Sequence, residues 1–205
     1  MRLREQLVAV AHSLYVRGYT FGTAGNISVR EGERILISPT NSSFGSLKPG
    51  DLAEVSLTGE PLPGPSPSKE AHFHLAAYRA RPEAGAVVHL HSCHATAVSC
   101  LADLDMDDAL PVYTPYFAMR LPCLPVAEYY PPGDPALAPS VEAAAANSPA
   151  LLLRNHGSIA TGRTLQEASA LAEEIEEQAR LYFLLGARGR ALTPEQVAEL
   201  RRRFR

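Results

Sequence analysis

Two short apolar runs, Ala86-Val87-Val88-His89-Leu90-His91 and Ala150-Leu151-Leu152-Leu153-Arg154, each lie between stretches of helical pattern. Runs this short and this apolar read as buried strands, and a buried strand needs cover on its faces. The chain supplies that cover. Leu3, Leu7, Val10 and Leu14 recur at helical spacing and Gly18 follows as a stop, which predicts an amphipathic helix over 2–17. Ser66 before Pro67 predicts a helix over about 67–80, ended before Pro82. HATAVSCLA after His91 is helical in pattern, and a further helix begins near Asp134-Pro135 or Ser140. Thr164, with Glu167 three residues on, starts a long helix to about Leu185, and Thr193-Pro194-Glu195-Gln196 caps a last one in the same way.

Weaker β-like runs lie at Arg34–Ser38 and Ala53–Leu57, and YTFGTAGNISVR passes from loop into strand. Residues 111–133, broken by prolines, read as irregular with one short strand. PLPGPSPSKE has the composition of a linker, yet no boundary is strong enough to split the chain and no internal repeat is visible. Residues 1–205 therefore read as one layered α/β domain, a length at which a single core suffices.

Charge and cysteine content exclude several function classes. Nineteen basic residues stand against 22 acidic ones, which offers no basic surface for nucleic acid or an acidic membrane. No apolar run is long enough to span a bilayer. The N-terminal segment carries charges through its apolar stripe, unlike a cleaved signal, so the expected location is the cytoplasm. Cys93, Cys100 and Cys123 are odd in number, form no CxxC and lie in apolar stretches, so they are expected to be buried free thiols.

The histidines carry the chemistry. On a strand, residues two apart point to the same face, so His89 and His91 project together. By itself that pair is either an exposed strand face or half of a metal site. His156, in Arg154-Asn155-His156-Gly157 directly after the second apolar strand, is either part of a turn or the third ligand. Three histidines and an open position make the pattern of a catalytic zinc. Glu70 falls in the first turn of the helix expected after Pro67, where the helix dipole favours a carboxylate. His74, four residues on, shares its helix face and is either a partner of Glu70 or a packed or surface imidazole. His12, His72 and His94 receive no role. The Gly22–Asn26 loop combines glycines with hydroxyl and amide groups, a composition suited to presenting N–H groups to an anion, though it matches neither a P-loop nor a dinucleotide fingerprint. Ser38-Pro39-Thr40-Asn41 and Ser66-Pro67-Ser68-Lys69 are two further polar turns.

Taken in order, GTAGNISVR, ISPT with SLKPGDL, PSKE with AHFHLAAYRARPEAGAVVHLHSCHATAVS, and LLLRNHGSIATG resemble the zinc-dependent class II aldolase/adducin family, within it most closely the fuculose-phosphate aldolases. The resemblance covers about residues 1–185. It implies a mainly antiparallel central sheet flanked by helices. It implies zinc ligands at His89, His91 and His156, and a catalytic acid/base at Glu70. Thr23, Gly25, Asn26, Thr40, Asn41, Ser68 and Lys69 would hold a substrate phosphate. It also implies a homotetramer with one zinc per subunit and a site completed across a subunit boundary. Tyr116, in the aromatic segment 111–130, is the expected tyrosine acting in trans. The chain departs from the pattern at Lys69 and Asn41, where close relatives carry Ser and Gly, and in segment 111–133.

Cleaving a C–C bond beside a carbonyl leaves charge on carbon, which a Lewis acid can stabilise, and only Lys48 and Lys69 are present for Schiff-base chemistry. The expected activity is an aldolase that splits a 1-phosphoketose, such as fuculose 1-phosphate, into dihydroxyacetone phosphate and an aldehyde. Alternatives on the same scaffold are a ribulose-phosphate 4-epimerase, a methylthioribulose-phosphate dehydratase and a sugar-acid-phosphate decarboxylase. An adducin-like interaction domain without activity is the reading from another class.

Overall fold

A computed structural model describes residues 2–204. Seven strands form one sheet: β1 (Asn26–Glu31), β2 (Arg34–Ile37), β3 (Ala53–Ser56), β4 (Ala86–Leu90), β5 (Val126–Ala127), β6 (Ala150–Leu153) and β7 (Gly157–Gly162). Their order is β3-β2-β1-β4-β7-β6-β5. Every neighbouring pair is antiparallel except β5 with β6.

Among the described residues there are seven α-helices, and six of them cover the sheet. On one face, α1 (Leu3–Val16), α3 (Cys93–Ser99), α4 (Pro115–Arg120) and α6 (Leu165–Leu185) pack on Ile27, Val29, Leu36, Val88, Leu90 and Leu152. On the other, α2 (Ala71–Ala80) and α5 (Leu137–Asn147) pack on Ile35, Ile37, Val55, Val87, Leu151, Leu153 and Ile159. The last helix, α7 (Pro194–Arg203), lies against α4. Because both faces are covered, β4 and β6 are buried along their whole length. That is why they are near-continuously apolar rather than alternating.

The three-layer α/β architecture with a mainly antiparallel sheet is the one expected, and several details differ. The second helix starts at Ala71, not at Pro67. Pro67 instead bridges to Pro39, and Lys69 and Glu70 form a turn before the helix, so that Ser68 and Lys69 line one cleft with the 39–41 turn. The cysteines are free, but Cys93 and Cys100 are exposed and Cys123 only partly buried. Cys93 and Cys100 lie at the two ends of α3, while their apolar neighbours Ala95 and Val98 turn inward. Strand β7 was not foreseen. It lies between β4 and β6 and pairs with both, its apolar residues diluted by Gly157, Ser158, Thr161 and Gly162. Segment 111–133 contains the expected short strand, β5, and also α4, which Thr114 caps by accepting from the Phe117 N–H ahead of Pro115.

Candidate active site

The site forms where β4 ends, the β6–β7 turn passes and α2 begins. Two glycines allow that approach. A Cβ on Gly157 would lie 2.3 Å from the Leu90 carbonyl oxygen, so only glycine lets the β6–β7 turn lie against the end of β4. Gly25 holds φ +79°, and a Cβ there would lie 2.7 Å from the His89 carbonyl oxygen.

With the backbones this close, three imidazoles converge. The ring centroids of His89, His91 and His156 are 4.6–4.9 Å apart, and one nitrogen from each lies within 4.8 Å of the others. His89 Nδ1 donates to the Ser158 carbonyl at 2.9 Å, which leaves the Nε2 lone pair facing inward. His91 Nε2 sits 2.9 Å from that atom. His156 Nε2 is buried without any hydrogen-bond partner. A buried imidazole nitrogen with no partner, aimed into two others, is the donor set a divalent metal takes, so the residues fit a zinc ion. Burial holds His89 well below the usual imidazole range, and the neighbouring rings add to this. His91 is lowered to about 4, first by burial and then by His156 and Lys69. Burial also lowers His156, against the opposing field of Glu70. Neutral rings are the form that binds metal.

Glu70 is the N-cap residue of α2 and is 5% exposed. Its Oε2 lies 3.7 Å from His89 Nε2 and its Oε1 3.5 Å from His156 Nε2. Asn26, at the start of β1 and directly across from His89, donates Nδ2 to Glu70 Oε2 at 2.8 Å. His74 reaches Glu70 only through Asn26, whose Oδ1 it contacts at 2.5 Å. The Glu70 N–H donates to Ser68 Oγ at 3.2 Å, which ties the polar turn to the carboxylate.

A cleft of about 550 Å³ opens in front of these groups. Its lining includes every phosphate-pocket residue expected from the sequence: Thr23, Gly25, Asn26, Thr40, Asn41, Ser68 and Lys69. Glu70, His91 and His156 line it too, and His89 is fully buried beside them. Lys69 is the one Lys or Arg among the lining residues. Asn26 is less free than its sequence reading implied, since its carbonyl faces His74 and one N–H goes to Glu70. Asn155 lines the cleft and was missed. Like Asn41 it holds φ 55°, a left-handed conformation that asparagine tolerates better than most residues, and its place before His156-Gly157 was the available signal. Tyr116 lies on α4, is 67% exposed and does not line this cleft. Two histidines that received no role make structural contacts elsewhere. His12 Nε2 meets the Leu47 carbonyl. His94 Nδ1 meets Glu176, which also caps α3 by accepting from the His94 and Ala95 N–H groups.

Comparison with known proteins follows the same outline. Residues 5–183 match the family described as Class II Aldolase and Adducin N-terminal domain. The 3-oxo-tetronate 4-phosphate decarboxylase of Escherichia coli K12 is 46% identical over 97% of this chain and 95% of its own. The crystal structure of YgbL from Escherichia coli superposes with a TM-score of 0.94 at 45% identity, covering 97% of both chains. The L-fuculose phosphate aldolase of Methanocaldococcus jannaschii is 34% identical over 88% of this chain and 96% of its own. The expectation of a 1-phosphoketose aldolase is thereby overturned, because the decarboxylase is the nearer of these relatives and matches more of the chain. The motifs could not tell the two apart, since both reactions leave charge on a carbon beside a carbonyl. Among the described residues no helix is long and apolar enough to cross a membrane. Its matched length, its fold and its motifs agree: the chain belongs to the class II aldolase and adducin family.

Proposed function

We propose that this protein is a sugar-acid-phosphate decarboxylase acting on 3-oxo-tetronate 4-phosphate or a close analogue, with zinc held by His89, His91 and His156. The observation that carries the reading is the 46% identity to the Escherichia coli decarboxylase along nearly the whole of both chains. The cleft is chemically suited to it.

Such a substrate is a β-keto acid, with a carboxylate at C1, a hydroxyl at C2, a ketone at C3 and a phosphate at C4. When the C1–C2 bond breaks, its electron pair moves onto C2 and spreads to the C3 oxygen while C1 leaves as carbon dioxide. His89, His91 and His156 would hold the zinc, which would supply Lewis acidity toward the developing negative charge. The chain does the rest. Thr23, Gly25 and Asn26, with Thr40, Asn41, Ser68 and Lys69, bind the phosphate and orient the bond to be broken, so that remote binding energy serves the reacting centre. Lys69 supplies the only formal positive charge that the lining side chains bring to a multiply anionic ligand. Glu70 delivers a proton, drawn from water, to C2. The balanced products are carbon dioxide and dihydroxyacetone phosphate. Carbon dioxide departs neutral, so the proton donor that an aldehyde's alkoxide would need from Tyr116 is not required. Exposed Tyr116 is left for contact with another copy, within the homotetramer that forms part of this proposal.

The test is a product assay of the zinc-loaded protein with two substrates. With 3-oxo-tetronate 4-phosphate, carbon dioxide and dihydroxyacetone phosphate should appear in equal amounts. Turnover of fuculose 1-phosphate to an aldehyde, with no carbon dioxide from the sugar acid, would reverse the assignment.

A further inference from the structure

Five polar side chains cross the buried space between β1 and α2 in one unbroken chain. Tyr78 Oη lies 2.9 Å from Ser28 Oγ, and Ser28 Oγ lies 2.8 Å from His74 Nδ1. His74 Nε2 lies 2.5 Å from Asn26 Oδ1, and Asn26 Nδ2 lies 2.8 Å from Glu70 Oε2. Ser28 and His74 are fully buried, and Tyr78, Asn26 and Glu70 are at most 5% exposed. The layout follows from two matched periods. Asn26 and Ser28 are two apart on a strand, roughly 6.6 Å, and Glu70, His74 and Tyr78 are four apart on a helix, roughly 6 Å. The two rows interleave.

The direction of every bond in the chain is determined by its end. Asn26 turns its NH₂ toward Glu70 Oε2, to which it donates, and so its Oδ1 toward His74. That oxygen needs a donor, so His74 carries its proton on Nε2. A neutral imidazole has one N–H, so Nδ1 accepts from the Ser28 hydroxyl, and Ser28 Oγ in turn accepts from Tyr78. Burial keeps His74 neutral, with its pKa lowered to about 3, and raises the Tyr78 phenol, so the middle of this chain and its Tyr78 end keep their protons as drawn at neutral pH. A polar chain in an apolar layer is costly unless every member is satisfied, and here each of the five has a partner.

We infer that His74 and Asn26 are positioning residues that hold the Glu70 carboxylate for proton transfer, through a one-way hydrogen-bond chain starting at Tyr78. The inference rests on the proposed role of Glu70 as the proton-transfer group. Without the bond from Asn26, the carboxylate is free to rotate among the imidazoles 3.5–3.7 Å away.

Two measurements test it. The first is the ¹⁵N spectrum of histidine-labelled protein at pH 7, which should show His74 as the Nε2–H tautomer. An Nδ1–H tautomer would reverse Asn26 and overturn the chain. The second is kinetic, at equal zinc content. His74→Leu should lower kcat by about 10²-fold, the scale of a misplaced catalytic group, at nearly unchanged KM. His74→Gln, whose amide restores an N–H toward Asn26, should recover most of the loss, and His74→Leu placed on Glu70→Gln should cost nothing more. Wild-type kcat in His74→Leu, or an equal loss in His74→Gln, would overturn the inference. Should His74→Leu fail to fold, the tautomer of the wild-type protein still decides. Full turnover in Glu70→Gln alone would sink the role of Glu70 instead, and the spectrum would still settle the direction of the chain.

Discussion

Gly25 and His89 meet backbone to side-chain void: a Cβ at position 25 would stand 2.7 Å from the His89 carbonyl oxygen. The same glycine holds φ +79°, which costs an alanine about 1–2 kcal/mol. Gly25→Ala therefore meets both strain and a backbone that cannot yield without moving β4. The expected result is a folded protein, destabilised by at least that amount, whose zinc affinity falls because His89 shifts. Urea unfolding of the metal-stripped form together with a zinc titration checks it. Unchanged affinity would show that the contact does not set the position of His89.

His91→Ala removes one of the three proposed zinc ligands while leaving the buried His89 and its bond to Ser158 in place. Losing a hydrogen-bond partner behind a metal ligand typically costs 10–100-fold in affinity, and losing the ligand itself should cost more than about 100-fold. Metal analysis after dialysis against a weak chelator reads this directly. Stoichiometric zinc in a His89/His91 double alanine variant would remove the three-histidine site from consideration.

Lys69→Ala tests the charge in the cleft. Hydrogen bonds to charged groups are worth about 1.5–3 kcal/mol, and the exposed position of Lys69 favours the low end, about tenfold. KM for a phosphorylated substrate should rise by about that factor with kcat changing little. Equal KM values in variant and wild type would place the phosphate elsewhere.

Acid should unfold the metal-stripped protein by a route set by its buried histidines. His74 is depressed to about 3 and His91 to about 4, whereas both take protons near pH 6.5 once unfolded. Below pH 6.5 the unfolded chain binds more protons than the folded one, so stability is present above 6.5 and is lost as the pH falls toward 4 and 3. Each such histidine contributes a slope approaching about 1.4 kcal/mol per pH unit. Urea midpoints at pH 7, 6 and 5 should fall progressively, and His74→Gln should flatten the fall. A midpoint independent of pH across this range would show that these rings are not held neutral by the fold.

Much of this protein was legible from one dimension. The alternation around His89 and His91 placed both rings on one strand face, because side-chain direction on a strand depends only on local geometry. The caps at Thr164 and Thr193 marked two helix starts, because a cap is a contact over three residues. The ordered motifs identified the family and many of the residues that line the cleft, though not Asn155. They did not separate decarboxylase from aldolase, because the shared motifs serve a charge on carbon that both reactions develop.

Other features depended on contacts between distant segments. Ser66-Pro67 had the local signature of a helix start, yet Pro67 bridges to Pro39 and the helix starts only at Ala71. β7 carries too many small and polar residues to announce itself, and it is a strand because β4 and β6 hold it on both sides. The partnership of Asn26 with Glu70 and His74 joins residues 44 and 48 positions apart. The sequence by itself determined the family and the i, i+2 placement that puts His89 and His91 on one face. Only the tertiary structure decided which site residues touch, because the stacking of α2 on β1 sets that pairing through space, and such a register leaves no trace in local periodicity.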